Sequence, residues 1–370
     1  MNNELLKLNL DSLTDLVESW GHPRFRAKQI HQWLHQKHCS SYDEMSNVPR
    51  QLRDHLSEAF PLDSFQLFDR QISQDGTRKY VFQLHDNRLV ETVGMPSFGD
   101  DGTIERLTVC VSSQVGCPMK CAFCATGKEG FTRNLTASEL VQQVAAVQND
   151  FNSRVSNIVV MGQGEPFLNY EEVLAALQMM NSDSDFNIAA RRITVSTCGL
   201  ITGIERFSRE PEQFTLAVSL HAAIQDTRDL LMPQVAHQPL PQLKQALSDY
   251  IAKTNRRVTL EYLLIRGVND SEDHLNALVS FCDGLLCHVN LLPMNPVEGA
   301  PYQPASMQTV NHWTKILMKH GVETSMRKSR GADIDGACGQ LKNKLVSRET
   351  SKQEDYVKHF LRPLTRPRKT

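Results

Sequence analysis

Long apolar runs and a large net charge are both missing from this 370-residue sequence. No stretch reaches the roughly 18 consecutive apolar residues that a membrane-spanning helix needs. The first residues, MNNELLKLNLDSLTDLV, lack the basic segment and apolar run of a secretory signal. Lys and Arg total 40 against 42 Asp and Glu, a formal net charge of -2. We therefore expect a soluble cytoplasmic protein with no membrane contact, in which any nucleic-acid site is a local basic patch.

A disulfide framework is also not expected. The nine cysteines are odd in number and lie in a long chain without a secretion signal, which favours metal or redox chemistry by some of them. The sequence has no repeat of fixed period and no low-complexity segment. Its hydrophobic content of 40% supports one large core with a smaller domain attached, because single cores stop growing at about 250 to 300 residues.

The hydrophobic pattern divides the chain into four parts. Residues 1–62 carry apolar residues at spacings of three and four and predict a small helical domain. Residues 63–104 alternate apolar and polar positions on both sides of a polar turn at 86–87, which predicts a β-hairpin linker. Residues 105–345 alternate short apolar runs with helical stretches, and residues 346–370 predict a helix followed by a basic tail.

Six apolar runs in the third part predict strands. They are LTVCVS (107–112), NIVVMG (157–162), ITVST (193–197), FTLAVSL (214–220), VTLEYLLI (258–265) and HVNLLPM (288–294). Because helical stretches follow most of these runs, they imply a parallel sheet with right-handed crossovers. The predicted fold class is therefore α/β, and a partial (β/α)6 barrel is the economical way to arrange such a sheet.

The segment VGCPMKCAFCATGKEGF holds three cysteines in the spacing C-x3-C-x2-C, Cys117, Cys121 and Cys124. Iron-sulfur clusters and structural zinc sites usually take four protein ligands, so three thiols leave one metal position open. A zinc site with Cys110 or a histidine as fourth ligand is the alternative interpretation. The spacing, the aromatic Phe123 and the position after a strand resemble the radical S-adenosylmethionine (SAM) superfamily, whose members hold a [4Fe-4S] cluster in this loop.

Small and polar residues follow several other predicted strands. They lie at 162–166, 196–199, 219–221 and 293–296. The carboxyl ends of barrel strands share one rim, where barrel enzymes place their chemistry. The G-x-G at 162–164 lacks the third glycine of a dinucleotide-binding loop. It resembles instead the glycine-rich element that receives the methionine end of SAM, with the Glu165 side chain or nearby backbone accepting from the ammonium.

Further motifs narrow the resemblance to one family. With the cysteine segment, the stretches MGQGEP, SLHA, LLPMNP and RGADIDGACGQL resemble the RlmN group of adenine-C2 RNA methyltransferases, in the same order and over nearly the whole chain. The related Cfr group methylates carbon 8 of adenine with the same machinery. Gln163, Cys198 and Met294 depart from the family pattern, and these departures concern packing around the cofactor rather than the reacting groups.

The resemblance implies methylation of carbon 2 of a specific adenine in 23S ribosomal RNA and in transfer RNA. This carbon is electron-poor and has no lone pair, so it cannot attack the sulfonium methyl of SAM. The family uses two SAM molecules per turnover and one [4Fe-4S] cluster. A cysteine thiolate takes a methyl group from the first SAM. Cleavage of the second SAM gives a radical that removes hydrogen from this S-methyl group, and the methylene radical adds to the base.

The resemblance also assigns the site residues. Cys338 matches the methyl-carrying cysteine, Cys110 matches the cysteine that releases the crosslinked RNA as a disulfide forms, and Glu91 matches the proton acceptor. The alternating pattern places Glu91 on an exposed face of the hairpin. The positions that match SAM-binding residues are Gly164, Glu165, Ser196, Ser219, Leu220, His221 and Asn295. Candidate phosphate contacts beside Cys338 are Arg327, Lys328 and Arg330.

The family further implies a monomer that receives electrons from a reducing protein such as flavodoxin or ferredoxin. Two alternatives stay open. One is a carbon-8 methyltransferase of the Cfr type, and the other is a zinc-stabilised RNA-binding protein without catalysis.

Overall fold

The computed structural model describes residues 5, 8, 10–37, 39, 41–60, 65–295, 297, 301–327 and 329–341. The predicted helix and basic tail of residues 346–370 lie outside these residues, as does Lys328. Among the described helices, none is both long and apolar enough to cross a membrane.

The N-terminal part is helical, as predicted. It contains α1 (Leu10–Ser19), α2 (Phe25–His35) and α3 (Arg50–Ala59). Their apolar stripes meet in a hydrophobic cluster of their own, in which Leu13 and Ile30 are fully buried. Met179 of the main body packs against this cluster, so the two cores touch.

A ten-stranded sheet forms the main body of the described chain. Its strands are β1 (Gln66–Ile72), β2 (Arg78–Gln83), β3 (Leu89–Phe98), β4 (Ile104–Val111), β7 (Asn157–Val160), β8 (Ile193–Thr197), β9 (Thr215–Ser219), β10 (Val258–Leu264), β11 (Cys287–Pro293) and β12 (Glu323–Met326). They neighbour one another in this order. The first four strands pair antiparallel, whereas the pairs from β4 to β12 are parallel.

The six predicted strands are all present, and β12 adds a seventh parallel strand that the sequence did not indicate. Two short strands, β5 (Gln114–Gly116) and β6 (Phe131–Asn134), form a separate ribbon. This ribbon joins the two ends of the cysteine segment.

Helices cover the parallel strands. They are α4 (Ala125–Glu129), α5 (Ala137–Phe151), α6 (Tyr170–Asn181), α7 (Ile201–Phe207), α8 (Gln225–Leu231), α9 (Leu240–Thr254), α10 (Glu272–Cys282) and α11 (Met307–Lys319). Helix α5 starts with a capping box, in which Thr136 Oγ1 accepts from Glu139 N and the Glu139 carboxylate accepts from Thr136 N. The alternation of parallel strands with these helices confirms the partial (β/α) barrel expected from the sequence.

The predicted hairpin is part of this larger sheet, because β3 pairs with β4 as well as with β2. The expectation that Glu91 is exposed was wrong, since this residue is 1% exposed. One face of β3 lies against α5, where Thr92 Oγ1 donates to Gln143 Oε1 at 2.7 Å. On its other face Val93 packs against Cys110. Alternation in the sequence does not reveal a strand that is covered on both faces.

Candidate active site

A cavity of about 190 Å³ lies at the carboxyl ends of the parallel strands. It brings together most of the predicted site residues: Cys110, Cys117, Cys121, Cys124, Gly164, Glu165, Ser196, Ser219, His221, Asn295 and Cys338. Leu220 and Glu91 do not line it. The Leu220 side chain is part of the main hydrophobic core, so it is not available to a ligand.

Hydrogen bonds hold the cysteine loop at both of its ends. Cys117 N donates to Gly130 O at 2.7 Å, which closes the loop at the β5–β6 ribbon. At the other end of the loop, Ala125 N donates to Gly339 O at 2.7 Å and Thr126 Oγ1 donates to Leu341 O at 2.8 Å. These contacts dock the segment around Cys338 directly onto the cysteine loop.

The donor set fits an iron-sulfur cluster. Burial raises the pKa of Cys117 to about 12, and it also raises the pKa of Cys124, so metal binding must displace protons from these thiols. Among the described residues, no three histidine, cysteine or carboxylate side chains converge on a point where they could hold a single metal ion. The three thiols line one cavity, and a donor set of cysteine sulfurs is the one that holds iron-sulfur clusters.

The turn after β7 is built around Gly164 and Glu165. Gly164 has φ +107°, and a Cβ there would lie 2.6 Å from Ser113 Oγ, so this position requires glycine. Glu165 is buried, and its two oxygens accept from Cys198 N at 2.6 Å and Phe167 N at 3.0 Å. Burial raises the pKa of Glu165, and these hydrogen bonds oppose the rise. The carboxylate thus fixes the ends of two neighbouring strands.

His221 is a neutral, fixed side chain. Burial lowers its pKa to about 3. Its Nδ1 accepts from Leu263 N at 3.1 Å, and its backbone adopts the left-handed region with φ 55°. The ring lies edge-on to Phe123 of the cysteine loop, with 4.7 Å between centroids. His221 therefore connects β10 to the cysteine loop.

Arg228, on α8, is a residue that the sequence analysis missed. Its guanidinium is fully buried and donates to the carbonyl oxygens of Ser219 at 3.0 Å, Leu220 at 2.5 Å and Cys198 at 2.7 Å. It joins the ends of β8 and β9, where predicted SAM-binding residues lie. The sequence offered no signal for this role, since an arginine in a short helix is usually solvated.

The segment that carries Cys338 is anchored to the cavity wall and to the turn between β1 and β2. Asn295 Nδ2 donates to Cys338 O at 3.2 Å, and Ser329 Oγ donates to Asn295 Oδ1 at 2.7 Å. Asp333 Oδ1 accepts from Ser73 Oγ at 2.6 Å. These hydrogen bonds hold the backbone around Cys338, whereas Cys338 itself is exposed.

Cys338 faces Cys110 and Arg327. Burial raises the pKa of Cys110 to about 12, and the Cys338 sulfur adds to this rise. The pKa of Arg327 is raised first by Cys338 and less by Glu261 and Cys110. Arg327 lines the cavity, and its contact with an RNA phosphate stays a prediction. Two thiols and one guanidinium share this side of the cavity.

Glu91 occupies a separate buried position. Its carboxylate lies 3.4 Å from the Lys79 ammonium, and both side chains are almost fully buried. Because Val93 is the register partner of Cys110, Glu91 and Cys110 lie on the same face of the sheet. The structure therefore brings Glu91 near the Cys110 strand without bringing it to the cavity wall.

The partial barrel and the three-cysteine loop define the class of this protein, a radical SAM enzyme. In agreement, the Radical SAM superfamily model matches residues 111–278. The model of the ribosomal RNA large subunit methyltransferase N-terminal domain matches residues 3–61. The chain belongs to the RlmN family of radical SAM RNA methyltransferases.

Known relatives support this assignment over almost the full length. The probable dual-specificity RNA methyltransferase RlmN of Picosynechococcus sp. is 44% identical over 92% of this chain and 96% of its own length. The protein of the same name from Rippkaea orientalis is 44% identical over 91% of this chain and 97% of its own. The crystal structure of a radical SAM methyltransferase from Sphaerobacter thermophilus superposes with a TM-score of 0.85 at 44% identity, covering 91% of this chain and 98% of that one. Membership implies SAM and a [4Fe-4S] cluster as cofactors.

Proposed function

We propose that this enzyme methylates carbon 2 of a specific adenine in 23S ribosomal RNA and transfer RNA, through a methyl group carried on Cys338. One observation carries the proposal: Cys338 and Cys110, which match the two reacting cysteines of the family, line the same cavity as the three cysteines of the loop. The dual specificity in the names of the relatives supports two RNA substrates.

The cofactors would share the cavity. Cys117, Cys121 and Cys124 would hold the cluster, which when bound supplies the electron that converts SAM into a carbon-centred radical. Gly164, Glu165 and the backbone after β7 suit the methionine end of SAM, because carboxylate and carbonyl oxygens accept from an ammonium. The hydroxyl and amide groups of Ser196, Ser219 and Asn295 suit the polar atoms of its ribose and adenine. A small reducing protein such as flavodoxin or ferredoxin would supply the electron to a monomeric enzyme.

Cys338 would take the first methyl group as a thiolate, with the Arg327 guanidinium in the same cavity as a counter-charge. The flanking Gly339, with φ +80°, gives this segment a backbone that other residues rarely adopt. Once the methylene carbon is joined to the base, Cys110 would attack the Cys338 sulfur. An S–S bond forms as the S–C bond to the RNA breaks, and the electron pair of the broken bond stays on the carbon, which takes up a proton to become the methyl group. The unpaired electron left on the base by the radical addition would return to the cluster, which when bound can accept it.

Glu91 is the proposed final acceptor of the proton that leaves carbon 2. Its carboxylate lies 3.4 Å from the Lys79 ammonium, a contact that would hold it in place to accept the proton. Because Glu91 does not line the cavity, the proton would reach it through Cys110, which lies on the same face of the sheet.

The test compares Cys338→Ala with Cys39→Ala, a cysteine of the helical N-terminal part that lies outside the cavity. After anaerobic purification, we expect Cys338→Ala to cleave SAM reductively but to form no methylated adenine, whereas Cys39→Ala does both. Mass spectrometry of the wild-type Cys338 peptide should show one added methyl group. Normal RNA methylation by Cys338→Ala would contradict the proposal.

Nucleoside analysis of the product separates the open alternatives. The proposal predicts 2-methyladenosine in ribosomal and transfer RNA from cells that contain the protein, and none from cells that lack it. A product methylated at carbon 8 would indicate a Cfr-type enzyme. A colourless zinc protein that leaves RNA unmodified would indicate the binding module.

A further inference from the structure

A buried carboxylate that none of the steps above uses lies in the cavity wall. Glu261, on β10, is 4% exposed, and its Oε1 accepts a hydrogen bond from Asn290 Nδ2 at 3.0 Å. Its other oxygen, Oε2, is buried and has no hydrogen-bond partner among the described residues. Native proteins rarely leave a buried polar atom unpaired. Glu261 Oε2 therefore marks an open acceptor position for a ligand.

Neighbouring strands fix the orientation of this carboxylate. Glu261, Asn290 and Ser325 are register partners on β10, β11 and β12. Ser325 Oγ donates to Asn290 Oδ1 at 2.6 Å, which turns the Asn290 amide nitrogen towards Glu261. The row of hydrogen bonds holds one carboxylate oxygen and leaves the other free, so the acceptor position is preorganised.

Arg327 supplies unused donors in the same cavity. Among the described residues, the side-chain acceptor of its guanidinium is the Met161 sulfur, at 3.4 Å from Nη1, and a thioether is a weak acceptor. Arg327 lies two positions beyond Ser325, and its backbone N donates to Leu291 O at 3.0 Å, so the pairing with β11 continues to this residue. Cys338, Arg327 and Glu261 all line the cavity. The cavity therefore offers a sulfur, a guanidinium donor and a carboxylate acceptor.

We propose that Arg327 and Glu261 recognise the Watson–Crick edge of the target adenine, an inference that rests on the proposed function. Along this edge adenine presents carbon 2, then the acceptor N1, then the amino donor N6. With carbon 2 at Cys338, N1 accepts from Arg327 and N6 donates to Glu261 Oε2. Enzymes that extract a base from its stack commonly recognise it by hydrogen bonds to this edge.

This arrangement explains selectivity as well as binding. A hydrogen bond to N1 withdraws electron density from the neighbouring carbon 2, which favours addition of an electron-rich carbon radical. Guanine is disfavoured because it turns an N1–H donor towards Arg327 and an O6 acceptor towards Glu261, so both contacts become repulsive. Carbon 8 lies on the opposite ring and cannot reach Cys338 while the Watson–Crick edge is bound in this way.

The experiment uses the full-length, cluster-loaded enzyme and an RNA fragment that it methylates, made with adenosine or with purine riboside at the target position. Purine riboside lacks only the N6 amino group. We expect wild-type enzyme to react with the purine riboside RNA about 10- to 100-fold more slowly in single-turnover reactions, the range for one hydrogen bond to a charged group. Glu261→Gln should slow the adenosine RNA by a similar factor and show no discrimination between the two RNAs.

Glu323→Gln is the matched control. Glu323 is the first residue of β12, contacts His288 and does not line the cavity, so this variant should keep both the wild-type rate and the wild-type discrimination. Glu261→Gln should also retain methylation of Cys338 and reductive SAM cleavage, because the substitution removes only a hydrogen bond to the target base.

The proposal is overturned if wild-type enzyme methylates both RNAs at one rate, or if Glu261→Gln discriminates as strongly as wild type. The comparison of two RNAs with wild-type enzyme decides the matter by itself if Glu261→Gln fails to fold. A failure of the proposed function looks different, since the wild-type enzyme would then form no 2-methyladenosine even in the adenosine RNA.

Discussion

Replacing Arg228 by methionine should destabilise the cavity wall that joins β8 to β9. The guanidinium is 1% exposed and donates to three carbonyl oxygens, those of Cys198, Ser219 and Leu220. Methionine fills a similar volume but donates no hydrogen bond. The substitution therefore leaves carbonyl groups unpaired in a site with little access to water.

The magnitude follows from these contacts. A hydrogen bond from a charged donor contributes about 1.5–3 kcal/mol, and removal of a buried cation recovers part of its desolvation cost. We expect a net loss of roughly 3–5 kcal/mol in the free energy of unfolding, the range for removing one member of a buried charged network. Arg228→Lys should recover little of this loss, because an ammonium lacks the planar fork that reaches two strand ends.

The assay is thermal and urea unfolding of the purified variants, with and without SAM. Arg206→Met is the matched control, since Arg206 is 45% exposed and pairs with an exposed Glu171, and such pairs contribute about 0.2–1 kcal/mol. Stabilisation by SAM should also weaken in Arg228→Met, because Ser219 moves with the strand end. If Arg228→Met lowers the free energy of unfolding no more than Arg206→Met does, the hydrogen bonds from Arg228 to the ends of β8 and β9 are not a source of stability.

Two further predictions concern the same rim. The pKa of His221 falls from 6.5 to about 3 on folding. As the pH is lowered, the His221 ring is therefore protonated in the unfolded chain before it is protonated in the folded protein. The free energy of unfolding should then drop by about 1.4 kcal/mol per pH unit below roughly pH 6.5. His221→Gln should remove this share of the slope in urea unfolding between pH 5 and 7; equal slopes would contradict burial of a neutral ring. Gly164→Ala should abolish stabilisation by SAM, because its Cβ would meet Ser113 Oγ at 2.6 Å. Gly284→Ala, which also has positive φ but open space around it, should bind SAM normally, and equal binding by both variants would refute the steric argument.

Local sequence was sufficient to predict those strands whose apolar pattern matches their burial in the structure. The six predicted strands are continuous apolar runs because helices and the barrel interior cover both of their faces. The strand β12 escaped prediction, since ETSM is short and half-exposed at the sheet edge. Glu91 was misplaced for a related reason: alternation indicates one exposed face only when nothing covers it.

The sequence alone determined the succession of strands and helices, the three-cysteine loop and the family, because each depends on residues close together along the chain. The tertiary structure alone decided which distant residues share the cavity. Cys110 and Cys338 come from opposite ends of the catalytic part, and Arg327 and Glu261 join the cavity from separate elements. Arg228 lies behind the cavity wall and donates to Cys198, which lines it. Strand order and register set these neighbours, and both arise from packing between segments that no local pattern records.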